Sequence, residues 1–209
     1  MNKIITLLFA TFSTVLSAQD EVAKNILDKL SAVTKSYRNI TVDFDFTFKN
    51  TNQNIDEKQN GNLIMEGDNF LLKMDEQIII TDGESQWIYL ADMNEVQIMK
   101  YETKNELMSP KHLFTIYEKG YKYKYVGAKT ENKRRLHIID LFPEESNTFK
   151  KIELVINAVN TELYKIILFD KNGGTYTYLI TSFKSNSKTM PQFTFNPVDY
   201  PDVEVIDLR

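Results

Sequence analysis

The sequence predicts a mainly β protein: one strongly curved antiparallel sheet with an N-terminal helix and a short mid-chain helix over its open side. Three observations lead there. From Ile40 onward apolar residues recur at every second position. These short runs follow one another with turn signals between them, the sharpest being Asp82-Gly83 and Asn172-Gly173. Helical spacing is confined to two stretches, residues 20–36 and 109–119. About eleven strands result, and a sheet of that size must curl or split. A single strongly curved sheet with helices over its open side fits this pattern best, with a closed barrel or a β-sandwich as the alternatives.

Taken in order, residues 1–18 read as a secretory signal, with 19–209 as a single domain. Lys3 supplies the positive start, Ile4 to Phe12 the apolar run, and Ser17-Ala18 the small residues before Gln19-Asp20-Glu21. That run is shorter than the roughly 18 residues a membrane span needs. Val22, Ile26, Leu30 and Val33 form a helical stripe over 20–36, with Asp20 as the expected N-cap. Val42, Phe44, Phe46 and Phe48 then alternate with Thr41, Asp43, Asp45 and Thr47, a strand with one wet face. Lys49 to Asn60 reads as a polar turn. Strands follow around Leu63 and Met65, Phe70 to Met74, Gln77 to Thr81, Gln86 to Leu90, and Glu95 to Met99. Ser109 as N-cap, Pro110 as first helical residue and Gly120 as stop bracket the second helix, whose stripe is Leu113, Phe114, Ile116 and Tyr117. Strands resume at Tyr121, Arg134, Phe149, Glu162 and Thr175. Gln192 to Phe195 and Val203 to Leu208 are expected to close the sheet.

Composition removes several classes of function. Of the 209 residues 42% are hydrophobic and 26% charged, which is globular composition. Lys plus Arg is 25 against 29 Asp plus Glu, a net charge of -4, so no general attraction to nucleic acid is expected. With no Cys there is no disulfide, thiolate metal site or cysteine nucleophile, and with two His no three-His metal site. No metal and no cofactor is expected. Ser85 lacks a Gly-x-Ser-x-Gly setting, and there is no phosphate-cradling glycine loop. His112 and His137 read as surface or hydrogen-bonded residues, and Asp43 and Asp45 as a solvated outer face. No catalytic residue is assigned.

The informative feature is apolar. Phe44, Phe46, Phe48, Leu63, Met65, Phe70, Leu72, Met74, Ile78, Ile80, Trp87, Tyr89, Val96 and Ile98 are expected on the same side of one sheet. Alternation alone fits a plain core as well as a cavity. Two things favour a cavity. Rings and thioethers, which repack around a guest, dominate over compact Val. Two short helices also fill less space than a second sheet would.

At this point the chain resembles the LolA-type outer-membrane lipoprotein carriers. The resemblance runs along nearly all of residues 19–209, through Ile26-Leu27-Asp28-Lys29-Leu30, Asp43 to Phe48, Asn60 to Met65 and Asn69 to Met74. Its most specific block is Ile80-Thr81-Asp82-Gly83-Glu84-Ser85-Gln86-Trp87-Ile88-Tyr89, followed by Glu95 to Ile98, Ser109 to Phe114, Phe193 to Pro197 and Val203 to Asp207. The resemblance implies an open, unclosed β-barrel with helices as a lid, and a cavity that shields lipoprotein acyl chains in the periplasm. It implies a monomeric, non-catalytic carrier that receives lipoproteins from an inner-membrane lipoprotein-releasing transporter and delivers them to an outer-membrane acceptor. Aligned lining positions are Phe44, Phe46, Phe48, Leu72, Met74, Ile80, Trp87, Tyr89, Leu113 and Phe114. One departure stands out: the family's lid-latching Arg-Pro position reads Glu66-Gly67-Asp68 here, so no latch residue is carried over. A sensor of lipoproteins or other amphiphiles on the same fold is the second reading. An exported enzyme using His112 or His137 is the third.

Overall fold

The computed structural model describes residues 12–102, 114–145 and 148–209, with side chains from residue 21 onward. Helix α1 spans Phe12–Ser36. It does not start at Asp20, which lies within it: residues 13–19 contain neither Pro nor Gly, and nothing in them breaks a helix. Ala23, Leu27 and Leu30 form its buried stripe.

Among the described residues twelve strands follow: β1 (Asn39–Asn50), β2 (Ile55–Glu66), β3 (Asn69–Met74), β4 (Gln77–Thr81), β5 (Ser85–Leu90), β6 (Glu95–Lys100), β7 (Tyr121–Glu131), β8 (Arg134–Pro143), β9 (Phe149–Asn157), β10 (Leu163–Asp170), β11 (Gly174–Ser185) and β12 (Glu204–Asp207). They make one sheet in the order β12-β6-β5-β4-β3-β2-β1-β11-β10-β9-β8-β7. The sheet is not closed, which gives the open, curved barrel the sequence led to expect. All neighbours are antiparallel except β12, which lies parallel to β6.

Two expectations are corrected here. Most of the polar stretch 49–60 is not a turn: β2 begins at Ile55 and pairs with the whole length of β1. The turn is short because Asn50 accepts backbone N–H bonds from Asn52 and Gln53, and Asn54 takes a left-handed φ of 54°. Polarity misled because the ends of both strands are wet on one or both faces. Residues 192–195 are not a strand either. They belong to an irregular strap, anchored where Asn39 Oδ1 accepts the Ser187 N–H (2.8 Å) and its Nδ2 donates to the Ser187 carbonyl (3.0 Å). The predicted helix over 109–119 lies mostly outside the described residues. Its visible end turns helically through Phe114, and Ile116–Glu118 tightens into a 3-10 turn before Gly120 at φ 79°.

The two sheet faces have separate cores. The inner face carries α1, and Leu27 and Leu30 join Ile40, Val42, Phe44, Leu63, Phe70, Ile139, Leu154 and Leu168 in the main cluster. On the outer face the strap lays Phe193 and Phe195 over Leu71, Ile80 and Val96.

Candidate functional site

Strand pairing decides which side chains share the inner face. Phe44, Phe46 and Phe48 of β1 stand opposite Ile180, Tyr178 and Tyr176 of β11. On the other side Phe44 faces Gly61 of β2, which faces Met74 of β3. Leu72 faces Leu63 and Ile79. This floor divides lengthwise. Near the end of α1, Ile40, Val42, Phe44, Met65 and Phe70 are buried. Towards the β1–β2 turn, Phe46, Phe48, Leu72, Met74, Tyr176 and Tyr178 are only partly covered. Their rings touch: Phe48–Tyr176 centroids lie 4.6 Å apart, Phe46–Tyr178 5.1 Å and Phe44–Tyr178 5.7 Å. Offset and tilted pairs of this kind hold their geometry without a directional bond.

Gly61 is needed for this arrangement. A Cβ there would lie 2.1 Å from Cζ of Phe44, so the ring can lie across β2 only because the side chain is missing. Phe44 thus spans from β1 towards Met74 at the junction between the covered and the half-open floor.

The floor is apolar except towards the β1–β2 turn, where Glu57 stands opposite Phe48. Burial pushes the Tyr178 phenol up to about 12, with the neighbouring Tyr176 adding to the rise. Burial raises Tyr176 as well. At neutral pH both hydroxyls are protonated. His137 shares the inner face beside β7, where its Nδ1 lies 3.0 Å from the Tyr125 hydroxyl. Burial lowers its pKa, helped by the positive charge of Arg135. Among the described residues no three His, Asp or Glu are placed to hold a metal ion. Asp43 is exposed and accepts a 2.7 Å bond from Asn62.

The structure brings together part of the expected lining. Phe44, Phe46, Phe48, Leu72 and Met74 share the inner face, and Phe114 joins its main cluster. Leu113 lies outside the described residues. Ile80, Trp87 and Tyr89 do not share that face, which corrects the single-face expectation. Ile80 pairs with Leu71 and Trp87, and Ile78 with Tyr89, so all lie on the outer face under the strap. Tyr89 stacks with Phe195 (5.8 Å), packs at a tilt against Tyr200 (4.5 Å) and donates to Asn94 Oδ1. The cause is parity: consecutive residues of a strand point to opposite faces, so the inner residues of β4 and β5 are Ile79 and Ile88, one position away. Tyr176 and Tyr178 also stand on the inner face, a placement the sequence does not single out. Their alternation is visible in the sequence, but the pairing of β11 with β1 is not.

An unclosed, curved sheet with a helix against one face and a half-covered aromatic floor beside it defines the class: an open, curved β-barrel with a partly covered apolar inner face. Comparison with known proteins narrows this. The family described as "Outer membrane lipoprotein carrier protein LolA" matches residues 35–196, and the chain belongs to it. An outer-membrane lipoprotein carrier protein of Legionella pneumophila (strain Lens) is 24% identical over 209 residues, covering 97% of this chain and 98% of that one. An uncharacterised conserved protein from Thermus thermophilus shares the fold at a TM-score of 0.56 and 14% identity, covering 89% of this chain and 99% of its own. A LolA superfamily protein from Nitrosomonas europaea superposes with a TM-score of 0.45 at 15% identity, over 83% and 97% of the two chains.

Proposed function

We propose that the chain is a non-catalytic periplasmic carrier that holds the acyl chains of lipoproteins against the inner-face floor. It takes them from an inner-membrane lipoprotein-releasing transporter and gives them to an outer-membrane acceptor. Residues 1–18 direct export and are removed, and residues 19–209 act as a monomer.

The observation that carries this reading is the half-covered row Phe46, Phe48, Leu72, Met74, Tyr176 and Tyr178, contiguous with a closed core. An acyl chain in water costs about 0.8 kcal/mol per methylene, so several chains on one molecule cannot cross an aqueous gap uncovered. A floor of rings and thioethers covers such chains by area and without a fixed pose, which permits release. Phe44, Phe46, Phe48, Leu72, Met74 and Phe114 are the proposed acyl contacts on described residues, and Leu113 extends them. Family membership and the name of the Legionella relative support the ligand class.

The test is release of a lipoprotein from inner-membrane preparations by the purified protein. Phe46→Glu and Leu72→Glu should abolish release while circular dichroism stays that of the parent. Normal release by both folded variants removes the floor from the proposal.

A further inference from the structure

The inner-face floor continues past Met74. At the tips of the β3–β4 and β5–β6 hairpins lies a groove of about 270 Å³ whose walls include Gln59, Met74, Glu76, Leu90, Asp92 and Met93. Gln59 stands opposite Phe46, and Leu90 opposite Gln77, so the groove opens from the same face as the floor. Met74 belongs to both. The groove is built in advance of any ligand. The Ala91 N–H donates to the Glu76 carbonyl (3.0 Å), joining the two tips, and Asn94 closes the second tip in a left-handed conformation by donating to the Ala91 carbonyl.

Its chemistry differs from that of the floor. Met93 is 68% exposed, a large flexible apolar side chain held out at the rim. Glu76 and Asp92 are exposed beside it. Lys73 and Lys58, the bases next to Met74 and Gln59 in sequence, both point to the other face, because each alternates with its groove neighbour along the strand. The two hairpin tips, residues 75–76 and 91–95, carry four carboxylates, Asp75, Glu76, Asp92 and Glu95, and no base. A surface of adaptable thioethers bordered by negative charge suits a cationic chain of variable sequence better than a neutral or acidic one.

Resting on the carrier reading above, we propose that this groove receives the first residues of the lipoprotein polypeptide, those following the acylated terminus, and that it favours basic ones. Acyl chains lying on the floor are covalently joined to a peptide that must leave the hollow. Since a residue spans at most about 3.3–3.6 Å, only the first few residues lie alongside Met74 and Met93. Acyl chains supply the affinity, and the groove grades one lipoprotein against another.

The experiment uses three triacylated cysteinyl peptides with identical acyl chains, continued by serine and then four lysines, four serines or four glutamates. Each carries a fluorophore at its C-terminus. Binding to the mature protein is followed by anisotropy below the concentration at which the peptides self-associate. The lysine peptide should bind about fivefold tighter than the serine peptide, and the glutamate peptide more weakly, at low salt. The differences should shrink at about 0.3 M salt as screening shortens the reach of the rim charges. In the double variant Glu76→Gln, Asp92→Asn the lysine-to-serine ratio should fall towards one. Equal binding of all three peptides overturns the groove, as does a lysine preference that survives the double variant. Failure of every peptide to bind overturns the carrier reading instead.

Discussion

Phe44 and Gly61 show how one missing side chain shapes a surface. Gly61→Ala places a Cβ inside the space of the Phe44 ring. The ring must turn out of its well, and overpacking of this kind costs about 1–3 kcal/mol. Urea denaturation should show that loss, and Phe44→Leu in the Gly61→Ala background should recover part of it. If Gly61→Ala is as stable as the parent, the ring is not held across β2. His137 gives a second residue-scale outcome. Its folded pKa is lowered by burial and Arg135, so on acidification the unfolded chain takes up a proton first, near 6.5. Stability from this group is therefore present above that pH and lost as pH falls through 6.5 towards the lowered folded value. His137→Gln should flatten the stability profile between about pH 7 and 6, measured by chemical denaturation.

At the level of elements, the strap and the 116–118 turn do different work. The strap seals the outer face with Phe193, Phe195 and Tyr200, away from the proposed acyl floor. Phe195→Ala should cost about 3–5 kcal/mol and shift the fluorescence of Trp87, which belongs to the same cluster. Lipopeptide affinity of the folded fraction should stay unchanged. An equal loss of affinity would mean that the two faces are coupled. The turn is tied to α1 through Glu118, which accepts from Ser31 Oγ (2.7 Å) and pairs with Lys35 Nζ (2.8 Å). Burial alone would raise the Glu118 pKa, but these partners outweigh it and hold the carboxyl below the usual range. That contribution is present at neutral pH and is lost as pH falls through the depressed value.

For the whole molecule, an open sheet with a half-covered floor should gain stability from whatever covers it. Under the carrier reading, a triacylated lipopeptide at about 100 times its Kd adds about 2.7 kcal/mol, which raises Tm by about 5–10 °C in a domain of this size. Thermal unfolding with and without the peptide measures it, and an unchanged Tm at saturation would mean the floor is simply core. Much of this architecture was legible in the chain. The period-two runs from Ile40, the Asp82-Gly83 and Asn172-Gly173 turns and the N-terminal helical stripe place most elements within a few residues. Lys49 to Asn60 misled, because a strand wet along much of its length has no apolar period to read. The inner-face residues were legible for β1 and β3 and not for β4 and β5. Ile78, Ile79 and Ile80 are equally apolar, and no local signal says which of them turns inward.

By itself the amino-acid order determined the strands, their turns and the apolar character of one extended surface, since alternation and turn chemistry are local properties of neighbouring residues. Only the tertiary structure decided which face each apolar residue occupies. It did so through the pairing of β1 with β11, from opposite ends of the chain, and the seating of the strap over Ile80, Trp87 and Tyr89. Face assignment depends on register, and register is a relation between strands that are far apart in sequence.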